Sequence, residues 1–276
     1  MKSDAHIHPF EQVRDLDRDS AREGMRAFVE TARRQGFTEI AFTEHCPLLP
    51  WISGRHFATY VELTQEIIAE TRDVKIYLGV EMDYHPRLLD KVHELLRNYP
   101  FDYVIGSVHI HTELYREDIE GKRYDEAIAL AMRMNLEAVE SGLFDAIAHL
   151  DFCRWLNDPE RFGHWPGEYE PGRHRDAIMS ILSAMESAGL ALEINASGLD
   201  KRFASLMPCP EILTWTAGFE DLKILYGSDA HAPASVGQCR DEAVQALSPT
   251  QQRSLTEVGE WVGRRRGDLM RQKEEK

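Results

Sequence analysis

The chain has 276 residues, 43% apolar and 29% charged, which is ordinary globular usage and excludes a disordered, collagenous or coiled-coil polypeptide. Lys and Arg number 32 against 47 Asp and Glu, a formal charge of −15, so a general nucleic-acid binder with a basic face is not expected. No apolar run approaches the roughly 20 residues of a spanning helix, and the start, MKSDAHIHPFEQ, has no signal-peptide core; no membrane partner and a cytoplasmic location are expected.

A first strand is predicted over Ser3–His8, ending in His6-Ile7-His8. A helix over Ser20–Gln35 leads to a strand over Glu39–Thr43, followed by Glu44-His45. A helix over Thr59–Arg72 precedes the strand Val74–Glu81, which ends in Glu81 with Asp83 just beyond. After a helix over Arg87–Arg97, the strand Phe101–Val108 runs into His109 and His111. The helix Asp125–Ser141 leads to the strand Phe144–His149, followed by Asp151. The stretch Asn157–Gly172 reads as an active-site loop. A helix over Gly172–Ala188 and a strand over Leu190–Asn195, carrying Glu193, come next. The helix Pro208–Ala217 and the strand Lys223–Gly227 lead to Asp229-Ala230-His231. Two further helices, Ala234–Ala246 and Thr250–Lys273, end in a charged tail over Arg271–Lys276.

Strands alternating with helices indicate parallel βα units in one domain spanning residues 1–276. A closed barrel and an open doubly wound sheet both satisfy this pattern. The barrel is favoured, because reactive side chains recur at the C-terminal ends of nearly all seven strands, where barrel active sites are built. No glycine fingerprint follows the first strand to support a nucleotide-binding sheet.

Residues i and i+2 of a strand share a face, so His6 with His8 and Asp229 with His231 can each reach one ion together. Imidazole and carboxylate donors without thiolates suit Zn²⁺, Mn²⁺ or Fe²⁺. The four cysteines (Cys46, Cys153, Cys209, Cys239) form no CxxC pair. A carboxylate such as Glu81 can bridge two ions about 3.5–4 Å apart. Taken alone, one His-x-His is weak evidence, and a lone His after a strand is ordinarily a hydrogen-bonded surface or core residue. Glu44 and Asp83 serve equally as ligands or as supports of ligands, and Glu193 can point outward or pair with a helix. His56, His85, His93, His164 and His174 are read as surface residues. The conjunction of strand ends, rather than any one of them, points to a metal centre.

The segments HIH, EH, GVEMDY, FDYVIGSVHIH, AHLDF and GSDAH, in this order, resemble the polymerase and histidinol phosphatase (PHP) family of metal-dependent phosphoesterases. GVEMDY, AHLDFCRW and LEINASGLDKR resemble its histidinol-phosphate phosphatase branch. The resemblance spans His6 to His231. It implies a distorted seven-stranded (β/α)7 TIM-like barrel holding two or three divalent ions. By motif, His6, His8, Glu81 and Asp229 would hold the first ion. Glu81, His109 and His149 would hold the second, and His45 and His231 the third. Asp229, His231, His45 and Arg154 would carry the catalysis, with Arg154, Lys201 and Arg202 on the substrate phosphate. The implied reaction is hydrolysis of L-histidinol phosphate to histidinol and phosphate, in histidine biosynthesis. Another small phosphate ester or a nucleotide, an amide or lactone substrate, and a non-catalytic metal-binding homologue are the alternatives; the oligomeric state stays open.

The chain departs from the branch after His8. It reads Pro9-Phe10-Glu11-Gln12-Val13-Arg14-Asp15, where the branch ordinarily supplies a further histidine to the third metal. Glu11, Asp15 or Asp17 can replace that ligand, or Arg14 can stand there as a fixed positive charge. His111 is extra and can act as a ligand or a proton carrier.

Overall fold

The structure, a computed structural model, describes residues 1–48, 53–157, 167–199 and 204–262. Seven parallel strands stand in sequence order: β1 (Ser3–Ile7), β2 (Glu39–Phe42), β3 (Lys75–Asp83), β4 (Tyr103–Ser107), β5 (Ala146–Ile147), β6 (Ala191–Asn195) and β7 (Lys223–Gly227). Two backbone hydrogen bonds join the last strand's exit to the first strand: Asp229 N to His6 O, 2.8 Å, and His8 N to Ala230 O, 2.9 Å. The sheet is thereby rolled into the expected barrel rather than left open.

Five alanines (Ala5, Ala41, Ala146, Ala148 and Ala191) share the barrel interior with Tyr77, Tyr103, Ile105 and Leu225. Small residues beside two large rings suit the narrow bore of a seven-stranded barrel. Val258 and Trp261 join this cluster from the C-terminal segment. Val258 N donates to Ser3 Oγ and Gly259 N to Glu39 Oε2, at the first residues of β1 and β2, so this segment closes the barrel floor. That role explains why residues 253–262 of the predicted helix Thr250–Lys273 are not α-helical; residues 263–273 lie outside the described ones. The chain turns after a short helix, Pro249–Gln252, and Leu255 bridges Ile224 on β7 instead.

The helices cover the outside. α1 (Arg18–Arg34) starts two residues before its predicted position, because the Asp17 carboxylate caps Asp19 N and Ser20 N. It buries Ala21, Met25, Phe28, Val29 and Ala32 at helical spacing. α2 (Gly54–Glu70) starts five residues early, capped by Ser53 Oγ on His56 N. Arg18 on α1 pairs with Glu62 and Glu66 on α2 at 3.0 and 2.6 Å, exposed pairs that each contribute little. α3 (Leu89–Asn98), α4 (Arg116–Ile119), α5 (Tyr124–Glu140) and α6 (Arg175–Ala188) follow, then α7 (Pro210–Thr216) and α8 (Arg240–Gln245). The short α4 carries no predicted counterpart.

One irregularity places the first two histidines. Asp4 pairs with Ile40 and Ile7 with Phe42, so β1 uses three steps where β2 uses two. This one-residue bulge reverses the alternation. Ala5 faces the interior, yet Ile7 joins the outer core with Ile40 and Phe42. His6 and His8 therefore turn to the same side as Ala5, at the mouth of the barrel.

Candidate metal centre

Glu81, fully buried near the end of β3, faces five imidazoles. Its Oε1 lies 2.9 Å from His149 Nε2 and 3.4 Å from His109 Nε2. Its Oε2 lies 2.9 Å from His45 Nδ1 and 3.5 Å from both His6 Nε2 and His8 Nε2. Asp229 Oδ1 stands 3.4 Å from His8 Nε2 and 3.8 Å from His6 Nε2. His231 lies beside this group, its ring stacked on His8 with centroids 4.3 Å apart. The strand ends thus bring together all eight residues expected to ligate metal: His6, His8, His45, Glu81, His109, His149, Asp229 and His231.

Three donor sets are compact enough for one ion each: His6, His8 and Glu81; His45, Glu81 and His109; and His8, His45 and His231. Donors around an ion at about 2.1 Å stand about 3.0–3.4 Å apart, and the contacts above fall in or near that range. Glu81 Oε2, with three imidazole nitrogens within 3.5 Å, is buried without a hydrogen bond. An array of buried lone pairs this close is costly unless protons or cations stand between them, so the residues fit divalent metal.

The supporting carboxylates explain how the rings are aimed. Glu193 is wholly buried, neither outward nor paired with a helix. Its Oε1 lies 2.6 Å from His6 Nδ1, and its Oε2 accepts from His149 N at 2.7 Å. Asp83 holds His109 Nδ1 at 3.0 Å, leaving Nε2 toward Glu81. Glu44 accepts from Phe10 N, Glu11 N and His45 N at 2.9–3.1 Å, and its Oε1 is 3.5 Å from His8 Nδ1. Glu44, Asp83 and Glu193 therefore brace the clustered histidines from behind. Ser197 Oγ donates to Asp229 Oδ2 at 2.9 Å. His149 (φ 23°) and Asp229 (φ 53°) occupy the left-handed region, a local strain sustained at both strand ends.

The cluster is electrostatically poised. Burial alone lowers the His6 pKa, but Glu193, Glu81 and Asp229 outweigh it and hold the ring well above its ordinary value. Burial likewise opposes, and Glu81 above all overcomes it, in raising His45 to about 9. Glu81 moves the other way: despite burial, His109, His45 and His6 hold it well below the carboxylate range. His231 is pushed down to about 4 by burial and by the neighbouring His8.

Arg154 is buried, which excludes a surface ion pair. Its Nη2 donates to Ser205 O at 2.9 Å, and its Nη1 is 3.7 Å from Asp151 Oδ2. Lys201, Arg202 and His164 lie outside the described residues, as does most of the expected active-site loop. Asp15 is largely exposed and pairs with Arg14 at 3.7 Å, while Asp17 is occupied capping α1. Of the residues after His8, Glu11 is the acid that reaches the cluster, with Oε2 3.3 Å from His231 Nε2. His111 does not join the three donor sets; its ring stacks on Phe152 at 5.0 Å. Phe152 also packs on His109 and His149, at 5.0 and 4.8 Å, forming an apolar wall that no periodicity marked. His85, expected at the surface, is buried and pairs with Asp118 at 3.0 Å.

The profile of the PHP domain family matches residues 18–197. The chain is 30% identical over 249 residues to a protein of Deinococcus radiodurans named "Probable histidinol-phosphatase", covering 84% of this chain and 89% of that one. It is 27% identical over 267 residues to the histidinol-phosphatase of Bacillus subtilis, covering 86% and 96%. The fold matches a crystal structure of histidinol phosphate phosphatase from Lactococcus lactis, complexed with zinc, L-histidinol and phosphate, at a TM-score of 0.65 and 24% identity, over 89% of this chain and 93% of that one. With a barrel of this topology and a histidine–carboxylate cluster at its mouth, the profile and the Deinococcus relative agree: the chain belongs to the PHP family, in its histidinol-phosphatase branch.

Proposed function

We propose that the protein is a metal-dependent phosphatase that hydrolyses L-histidinol phosphate to histidinol and phosphate. The observation that carries the reading is Glu81, one buried carboxylate facing five imidazoles at the mouth of the barrel. His6, His8, Glu81 and Asp229 are assigned to a first ion, Glu81, His109 and His149 to a second, and His45 and His231 to a third; zinc, manganese or iron suits these donors. When bound, such ions neutralise phosphate oxygens and acidify water.

The chain's own residues supply orientation and a dry setting. Glu193 and Asp83 fix the rings of His6 and His109, and Ser197 fixes Asp229. Phe152 closes one side of the cluster against water. Arg154 is assigned to the phosphate, for which its planar fork is suited, and so are Lys201 and Arg202. Asp229, His231 and His45 stand at the side of the cluster assigned to the leaving oxygen. No side-chain nucleophile is needed: Cys46 is raised to about 12, chiefly by burial, and Cys153 well above its ordinary value by the same cause. No described helix is long and apolar enough to cross a membrane. Four free cysteines suit a reducing, cytoplasmic compartment.

The test is phosphate release from a panel of phosphomonoesters, histidinol phosphate included, by protein loaded with Zn²⁺ or Mn²⁺. Preference for histidinol phosphate by tenfold or more in kcat/KM is expected. Preference for another ester moves the protein to a different substrate, and no turnover with metal bound overturns the reading.

A further inference from the structure

Resting on the metal-dependent reading above, we propose that Glu11 is a ligand of the third cation, closing a site with His8, His45 and His231. The three histidines alone form a compact donor set. Glu11 Oε2 stands at the edge of this set, buried without a hydrogen bond and 3.3 Å from His231 Nε2.

The hydrogen-bond pattern of His231 explains why the contact calls for a cation. Its Nδ1 lies 3.0 Å from Asp229 O. A carbonyl only accepts, so Nδ1 carries a proton. Its Nε2 is thereby the ring nitrogen turned toward the carboxylate oxygen of Glu11. Their 3.3 Å separation is that of two donors sharing one ion, about 3.0–3.4 Å, so a cation between them turns the contact into coordination.

The position of Glu11 is built, not incidental. Phe10 is buried against Tyr60, with ring centroids 6.3 Å apart, and anchors the segment. Glu44 accepts from both Phe10 N and Glu11 N, clamping the turn after His8 onto the end of β2. The same carboxylate accepts from His45 N and faces His8 Nδ1. One buried group thus sets the backbone carrying Glu11 and two of the histidines it would join. Asp15 and Asp17, the other candidate acids, are committed elsewhere.

The experiment counts ions. Metal-free wild type, Glu11→Gln, Glu11→His and Asp15→Ala are titrated with Zn²⁺ or Mn²⁺ by calorimetry, and bound metal is measured after desalting. Circular dichroism and Tm of the metal-free proteins establish that each variant folds. Three ions are expected on wild type and Asp15→Ala. Glu11→Gln should retain two, with the third weakened at least tenfold, and Glu11→His should recover much of it. Three ions of unchanged affinity on folded Glu11→Gln, or only two on wild type, overturns the assignment and leaves the phosphatase reading standing. No ion on wild type overturns both.

Discussion

Glu193 Oε1 and His6 Nδ1 lie 2.6 Å apart with both side chains fully buried, although 187 residues separate them in sequence. The carboxylate fixes which ring nitrogen of His6 faces Glu81 and would raise its basicity in the proposed role of metal ligand. Glu193→Gln keeps the shape and removes the charge. Its metal affinity should fall about 10–100-fold with the fold retained. Calorimetric titration beside a circular dichroism spectrum checks this; unchanged affinity would show that His6 needs no such partner.

Glu81 contacts every proposed first- and second-ion histidine. Glu81→Ala should lose metal and activity together, because affinity depends on the complete donor set. Metal content after desalting, measured with phosphate release, decides it. Full activity with normal metal content would remove Glu81 from the centre.

Arg154 should split into two effects. Truncation removes the proposed phosphate contact, so Arg154→Ala should lower kcat/KM for phosphate esters by tenfold or more without changing metal content. It also leaves Asp151 buried beside an empty space, and a buried group stripped of its charged neighbour costs about 1–3 kcal/mol. A lowered Tm with unaltered kcat/KM would assign Arg154 to structure alone.

Metal uptake should depend on pH with a definite sign. In the metal-free protein His45 is raised to about 9, so it holds a proton at neutrality that an incoming ion must displace. Apparent affinity should climb from pH 6 to 9, with protons released on binding, visible as a buffer-dependent calorimetric heat. The same raised pKa stabilises the metal-free fold below about pH 6.5, and that contribution is lost as pH rises through about 9. The Tm of the metal-free protein should therefore fall over that interval, and loading with Zn²⁺ should flatten the fall.

Most of the fold and the ligand set are legible in the sequence because strand ends of a parallel barrel converge and His, Asp and Glu recur there. Strand edges are less legible. β5 keeps two residues where six were expected, since His149 at φ 23° already leaves the strand conformation. Glu193 and Asp83 are visible as acids, but their partners sit on other strands, so only the folded register tells support from ligand. The bulge in β1 has no local signature, and strict alternation would have placed Ala5 and His6 on opposite faces. Residues 253–262 fall within a stretch of helical period, yet barrel closure draws them across the floor. Glu11 is one of several acids after His8, and it becomes distinctive only once Glu44 clamps its backbone.

The seam between the first and last strands sets an order on the life of the chain. His6 and His8 leave the ribosome more than two hundred residues ahead of Asp229, which shares their ion in the proposed centre and whose amide bonds to His6 O. At about 5–20 residues per second, a nascent chain spends about 10–45 s with its two leading histidines exposed and the seventh strand unmade. Capture of an ion by the proposed centre thus waits for the seventh strand, and a product terminated before Asp229 would be left with an unsealed barrel and a partial, weak-binding centre.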